Sequence, residues 1–353
     1  MKDRICIVLP TLCKGGMERV VSVLANNMIE RDINVDVVCL ISGENVEYEL
    51  DPRINIHFPP FKYTPSLKYK IKCVSYLIKK LKLLKPSSVL AFSEVFNPLS
   101  IIACKLSNVK VYISDRSSPD VVYSKVMEFL RKMTYPFSNG IIAQTQYAKD
   151  VFERKRFNNN IKVIGNPIRN INDNYVNENG KVVVSVGRLV KSKNFHELID
   201  IFIDINKMDW ELWIIGDGPL YNELDAYIKE KCIIGNIKLL GKKDDIDFYF
   251  SKASIFAFTS LSEGFPNAVA EALAYPLLTI SYNCVAGPAD LIDDTKNGYL
   301  IDIDDKKGFA NRLNRMMEEK GQLDEVLRRS KEVRKRFSAS FITEIYLKFI
   351  RNK

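Results

Sequence analysis

The sequence predicts an α/β fold built as two doubly wound parallel-sheet domains in tandem. Three observations carry this. Short β-branched runs recur with helix-patterned stretches between them. The pattern stops at a polar, Asn-rich stretch and then restarts. The length of 353 residues, 46% hydrophobic and 27% charged, supplies apolar material for two packed cores. Strand, helix, strand repetition of this kind places the strands in parallel sheets covered on both faces.

The first set of runs is RICIVLP (4–10), INVDVVCL (33–40), SVLAFS (88–93), VKVYIS (109–114), GIIAQT (140–145) and IKVIGNP (161–167). NINDNYVNENGK (170–181) has no periodicity, and a linker is expected near 166–180. The second set is VVVSVGRL (182–189), ELWIIGDG (211–218), IKLLGK (237–242), IFAFTS (255–260) and LLTISY (277–282). The expected division is an N-terminal domain over 1–165 and a C-terminal domain over 166–335. In the final segment, 336–353, Phe341, Ile345, Phe349, Ile342 and Tyr346 recur at helical spacing, so it is expected to pack back on the first domain as a helix. Ligands of open α/β sheets sit at the carboxyl ends of the strands, so a cleft between the two domains is the expected site.

Composition narrows the class. Seven cysteines are scattered singly, with no C-x-x-C pair and only two histidines in the chain. That points to a reducing compartment and argues against a structural zinc site. Lys2, Asp3 and Arg4 followed by a short strand are not a signal-peptide layout, and no apolar run approaches the roughly 18 residues of a membrane span. A cytoplasmic protein is expected. The net charge of +9 is uneven: residues 1–165 hold 25 Lys+Arg against 15 Asp+Glu, or +10, and residues 166–353 hold 27 against 28, or −1. A polyanionic partner of the N-terminal domain follows, either nucleic acid or an anionic membrane surface.

Three stretches carry candidate chemistry. In LPTLCKGGMERV (9–20) a strand ends before Gly15 and Gly16, and a helix begins near Met17. Two glycines there let backbone amides approach a phosphate, although the stretch reads equally as a tight strand-to-helix turn. In SVGRLVKSKNFHELI (185–199) a strand delivers Gly187 and Arg188, and Lys193 follows before a helix from about Phe195. Two cations suit a diphosphate, Arg188 as a bidentate fork and Lys193 as a point charge; a solvated basic loop is the plain alternative. In SEGFPNAVAEAL (262–273), Glu263 falls in the loop after a strand, Pro266 and Asn267 mark a helix start, and Glu271 lies one turn in. Two acceptors for hydroxyls beside helix-start amides match what a nucleoside-diphosphate sugar presents.

Together, GGMER, the Gly-Arg pair with Lys193, and Glu263 to Glu271 with Gly264, Phe265 and Pro266 between them resemble the motifs of the retaining family 4 glycosyltransferases of GT-B fold. The resemblance runs over essentially the whole chain. It implies that the C-terminal domain binds a nucleotide sugar, that the N-terminal domain binds the acceptor, and that no metal or other cofactor is needed. It further implies that Arg188 and Lys193 hold the diphosphate and offset leaving-group charge, with the Gly16 amide on the same phosphates. Glu263 would bond the donor sugar beside the backbone of Gly264, Phe265 and Asn267, Glu271 the ribose, and Gly241 with Lys242 would lie beside the base. The glutamates are then holders rather than an acid and base pair, and retention follows from front-face attack, with the leaving phosphate taking the acceptor's proton.

One departure stands out. Many family members carry a histidine after the strand corresponding to VKVYIS, where this chain has Ser114, Asp115, Arg116, Ser117, Ser118 and Pro119. SDRSSP and NCVAGPADLI (283–292) resemble the subgroup that extends oligosaccharides on polyprenyl diphosphate. Arg116, with Asp115, is the candidate cation on the acceptor side, and a structural surface arginine is the alternative.

The segment 66–86 holds seven lysines and no acid. On a helical wheel Leu67, Ile71, Val74, Ile78 and Leu81 form a stripe flanked by Lys68, Lys72, Lys79 and Lys82. Such a helix lies on an anionic membrane face, or packs its stripe on the sheet with its lysines solvated. Nucleic acid is not expected, because no stacking aromatics or known fold accompany the charge. The expectation is a peripheral enzyme at the inner face of the plasma membrane. It would move a hexose or N-acetylhexosamine (GalNAc, GlcNAc or Gal) from a UDP-sugar to a lipid-diphosphate-linked glycan for O-antigen or capsule. Two rivals are a nucleotide-sugar epimerase or phosphorylase of the same fold and a non-catalytic partner subunit binding lipid or another transferase.

Overall fold

A computed structural model describes residues 3–13, 15–43, 46–171, 180–231, 236–318 and 323–351; residues 172–179 of the expected linker lie outside them. The chain divides into two units, Met1–Pro167 with Ala339–Lys353, and Ile168–Ser338.

Unit 1 has seven strands, β1 (Arg4–Leu9), β2 (Asn34–Cys39), β3 (Asn55–His57), β4 (Ser88–Phe92), β5 (Lys110–Ser114), β6 (Gly140–Ala143) and β7 (Ile161–Val163). They form one sheet in the order β3-β2-β1-β4-β5-β6-β7, every pair parallel. Helices α1 (Gly16–Ile29), α2 (Leu67–Leu84), α3 (Asn97–Leu106), α4 (Lys125–Thr134) and α5 (Gln146–Arg154) connect them. The central strands are buried on both faces, which is why β1, β4 and β6 read as continuous apolar runs rather than alternating ones.

In α2 the face on the core is Tyr69, Cys73, Tyr76, Leu77 and Leu81. The expected stripe divides: Leu81 joins that face, Val74 and Ile78 pack half-buried against it, and Leu67 and Ile71 are 74% and 62% exposed. Tyrosine makes the difference. The Tyr69 hydroxyl donates to the Leu40 carbonyl, so a side chain scored as half polar goes inside once its one polar atom has a partner. Lys68, Lys72, Lys79 and Lys82 are exposed.

Unit 2 has strands β8 (Val182–Val186), β9 (Glu211–Ile215), β10 (Ile237–Gly241), β11 (Ile255–Phe258), β12 (Leu278–Tyr282) and β13 (Tyr299–Ile301), parallel in the order β10-β9-β8-β11-β12-β13. Its helices are α6 (Phe195–Ile205), α7 (Tyr221–Lys231), α8 (Ile246–Lys252), α9 (Asn267–Ala274), α10 (Pro288–Leu291), α11 (Lys306–Glu318) and α12 (Leu323–Arg336). The last helix, α13 (Ala339–Arg351), returns to unit 1. It buries Ile342, Tyr346, Phe349 and Ile350, stacks Phe349 edge-on against Tyr112 at 5.3 Å, and is tied by Arg351 to Asp3 at 2.8 Å.

Candidate functional site

The strand order of unit 2 reverses between β8 and β11, and at such a switch point the loops on either side diverge and leave room for a ligand. The loop after β8 brings Gly187, Arg188 and, in a single 3₁₀ turn, Lys193; the loop after β11 brings Glu263. They meet: Lys193 Nζ lies 2.5 Å from Glu263 Oε1, with the two side chains 17% and 12% exposed. The Lys193 ammonium also stands 4.9 Å from the centre of the Phe258 ring, a cation–π contact.

Backbone detail fixes this pair. The Thr259 hydroxyl donates to the Lys193 and Asn194 carbonyls at 3.1 and 3.2 Å, and the Leu261 amide donates to the Ser192 carbonyl at 2.8 Å. The turn holding Lys193 is thereby tied to the end of β11. Gly187 lies against the lysine stem, where a Cβ would make only ordinary contact, 3.4 Å from Lys193 Cδ. Gly216, after β9, has φ +154°, and a Cβ would fall 1.8 Å from the Gly187 carbonyl oxygen, so only glycine fits. Arg188 is exposed and makes no ion pair among the described residues.

Glu271 sits in α9, as expected. Its Oε2 lies 3.4 Å from Arg169 Nε, and Arg169 Nη1 lies 2.5 Å from Asp247 Oδ1. The latter contact is short but not aligned as a hydrogen bond, so it is an ion pair only. The expected free amides at the start of α9 are fewer than the sequence implied. Asn267 donates to the Phe265 carbonyl, and Val269 and Ala270 donate to that of Pro266. The Phe265 ring is buried against Phe337, leaving only its backbone for a ligand. NCVAGPADLI lies beside this loop: Val285 bridges Ser262, and Gly287, at φ +146°, lets the chain pass Pro266 where a Cβ would come within 2.3 Å of its Cδ. Burial, and then the charge of Glu263, push the Cys284 thiol up to about 12, so it is neutral at physiological pH. Gly241, at φ +69°, accepts from the Gly216 amide at 3.0 Å, and Lys242 is exposed.

In unit 1 the corresponding reversal lies between β1 and β4. Gly15 caps α1 in extended backbone, its carbonyl accepting from the Tyr48 hydroxyl at 2.9 Å, and Gly16 opens the helix, exposed. Glu18 is folded back over Gly15, and burial raises its carboxyl pKa.

Asp115 and Arg116 are not open acceptor-side groups. Asp115 is 6% exposed and its carboxylate is taken up by Arg131 at 2.5 Å, Tyr135 at 2.7 Å and Asn97 at 2.9 Å. Burial opposes the Arg131 charge, but the adjacent Asp115 carboxylate outweighs it and raises the guanidinium pKa. Arg116 donates to Asn166 at 2.5 Å and to the Tyr346 hydroxyl at 2.8 Å, and lies 4.7 Å from the Phe92 ring centre. It latches α13 onto β4. Glu94, which the sequence reading passed over, orders the same stretch by accepting from Ser117 and from the Arg116 amide. Arg169 was also missed, because nothing local marks a residue whose partners are distant in sequence. The glycine of IIGDG after β9 was visible as a signal for Gly216.

Residues 14–169 match the family described as Glycosyltransferase Family 4, and residues 168–336 that described as Glycosyl transferases group 1. Over 315 residues, covering 86% of each chain, the sequence is 28% identical to the amylovoran biosynthesis glycosyltransferase AmsD of Erwinia amylovora. It is 27% identical, over 98% of each chain, to the Campylobacter jejuni GalNAc-alpha-(1->4)-GalNAc-alpha-(1->3)-diNAcBac-PP-undecaprenol alpha-1,4-N-acetyl-D-galactosaminyltransferase. The fold matches that of Anabaena HepE, crystallised in complex with UDP, with a TM-score of 0.83 at 18% identity over 99% of each chain. The chain thus belongs to the GT-B glycosyltransferases, with a Family 4 domain followed by a group 1 domain.

Proposed function

We propose that this glycosyltransferase moves a hexose or N-acetylhexosamine from a UDP-sugar to a lipid-diphosphate-linked glycan, with retention at the anomeric carbon, in the assembly of a bacterial surface polysaccharide. The observation that carries this reading is the Lys193–Glu263 pair at the switch point of unit 2, beside the unpaired Arg188. A cation and a carboxylate already in register suit a ligand with a diphosphate next to a polyhydroxyl ring. The UDP bound by HepE and the undecaprenol diphosphate in the name of the Campylobacter relative support donor and acceptor class.

In this mechanism Arg188 and Lys193 bind the diphosphate. Glu263 accepts hydrogen bonds from the sugar hydroxyls and Glu271 from the ribose, while Arg169 keeps Glu271 aimed. Gly241 and Lys242 lie beside the base. The bond between the anomeric carbon and the phosphate oxygen breaks with its electron pair passing to the phosphate. Arg188 and Lys193 stabilise that growing charge, the part assigned to a metal in other transferases. The acceptor hydroxyl attacks from the same face and gives its proton to the departing phosphate, so UDP and the glycoside are the products. Lys68, Lys72, Lys79 and Lys82 attract the enzyme to the anionic inner face of the plasma membrane; nucleic acid is not a partner.

The test is incubation of the full chain with UDP-GalNAc, UDP-GlcNAc or UDP-Gal and a short glycan on prenyl diphosphate, following UDP release and the anomeric proton coupling of the product. An α-linked product is expected. Absence of UDP release with every donor overturns the donor class, and a β-linked product overturns retention.

A further inference from the structure

The chain enters unit 2 at Ile168 and leaves it after Ser338. The two passages are joined within unit 2, where the Ile168 amide donates to the Phe337 carbonyl at 2.9 Å.

Phe337 follows directly on α12, its amide donating to the Val333 carbonyl at 3.0 Å. Its ring, 4% exposed, packs on that of Phe265, 6% exposed, with centroids 6.0 Å apart and planes at 59°. The neighbouring Arg336 donates to the Asp290 carbonyl of α10 at 3.3 Å, and Arg334 to the Ala274 carbonyl at the end of α9 at 2.7 Å. The end of α12 is thus fastened to the segments that follow β11 and β12, the two strands whose loops carry Glu263 and Cys284.

Phe265, two residues past Glu263, is gripped from several directions. Its carbonyl accepts from the Asn267 amide at 2.9 Å, and the next residue, Pro266, lies against Gly287 where a Cβ would come within 2.3 Å of its Cδ. The remaining support is the Phe337 ring. Interiors packed as densely as crystals transmit displacement from ring to ring, so a void at Phe337 lets Phe265 and the backbone on either side of it shift. A shift of about 1 Å at the reacting sugar costs about a hundredfold in rate.

We propose that Phe337 is a positioning residue for sugar transfer: through the Phe265 ring it sets the backbone that meets the donor sugar, and through its carbonyl it couples that loop to the chain passage at Ile168. Coupling is reciprocal, so a sugar seated on the loop steadies the Ile168–Phe337 bond. The nucleotide alone, held by Arg188 and Lys193, does not reach Phe265 and leaves the bond as it was. The proposal rests on the reading that the donor sugar is held beside Glu263.

The test uses the full chain and whichever of UDP-GalNAc, UDP-GlcNAc and UDP-Gal supports transfer. In wild type, the UDP-sugar should slow hydrogen exchange at the Ile168 amide about tenfold or more relative to UDP. Equal exchange under UDP and UDP-sugar overturns the proposal. Phe337→Leu should lower kcat about tenfold or more while changing UDP affinity by less than about twofold, a split that general loosening of the unit does not produce. Phe265→Leu should do the same, and the double variant should lose no more than the worse single, because the two rings act as one support. An unchanged kcat in Phe337→Leu, or losses that multiply in the double variant, overturns the proposal while leaving the donor reading intact. Absence of transfer with every donor in wild type overturns the donor reading itself. Should Phe337→Leu fail to fold, the exchange measurement on wild type still decides.

Discussion

Lys193 and Glu263 reach across the switch point of unit 2 from the loops after β8 and β11 and meet at 2.5 Å. Each is the other's counter-ion. A diphosphate arriving at Lys193 therefore replaces a carboxylate oxygen with phosphate oxygens rather than desolvating a bare ammonium, while Glu263 is released toward a sugar hydroxyl. Lys193→Ala removes a charge-assisted contact worth about 1.5–3 kcal/mol, so UDP affinity measured by calorimetry should fall roughly tenfold to a hundredfold. Arg188→Ala should act similarly without disturbing Glu263, since the two are not paired. Unchanged affinity in both variants refutes the diphosphate assignment.

Glu263→Ala separates binding from transfer. It frees Lys193, so UDP should bind as tightly as in wild type or more so. Transfer should drop by about two orders of magnitude or more, the scale for losing a contact that positions the reacting sugar. Turnover near the wild-type rate would remove Glu263 from the sugar.

Much of this site was legible in the sequence because its residues sit at strand ends, where a run of β-branched residues gives way to glycine and charge. Gly187, Arg188, Lys193, Glu263 and Glu271 all lie on unit 2 loops or the helix that follows one, as their spacing required. Of the three three-residue edge strands, Ile161–Val163 was read from its β-branched run, whereas Asn55–His57 and Tyr299–Ile301 were not, since three residues paired on one side carry no periodicity of their own. The structural roles of Asp115 and Arg116 were hidden for another reason. Their partners Arg131, Tyr135, Asn166 and Tyr346 come from other elements, and a polar residue after a strand looks the same whether it meets a ligand or another side chain. In α2 the apolar stripe was read as one face, on the sheet or on a membrane, whereas Leu81 joins Tyr69, Cys73 and Tyr76 in the core, Val74 and Ile78 pack half-buried against it, and Leu67 and Ile71 stay exposed.

The Asp115–Arg131 pair yields a prediction about stability. Both side chains are about as enclosed as core residues, 5% and 4% exposed, so removing one strands the other's charge. Arg131→Met should cost roughly 3–5 kcal/mol, while the double change Asp115→Leu with Arg131→Met should recover much of it. Thermal unfolding followed by circular dichroism measures both. A melting temperature unaffected by Arg131→Met would return Asp115 to the acceptor-binding candidates.

Arg169 touches Glu271 and Asp247, and its effect on ligand binding is expected to pass through the first of these. Glu271→Ala should weaken UDP about tenfold, the worth of one hydrogen bond to a charged group, and should not weaken 2′,3′-dideoxy-UDP, which has no hydroxyl for Glu271 to hold. Arg169→Met leaves Glu271 in place but unaimed, so it should lower UDP affinity less than Glu271→Ala does and likewise spare the dideoxy compound. It should also lower the melting temperature, because Asp247, 7% exposed, loses its ion pair with Arg169. Calorimetry with the two nucleotides separates the outcomes. Equal losses for UDP and its dideoxy form in Glu271→Ala would remove the ribose from Glu271. A drop in melting temperature with UDP affinity intact in Arg169→Met would leave Arg169 as a fold-holding residue that pairs Asp247 alone.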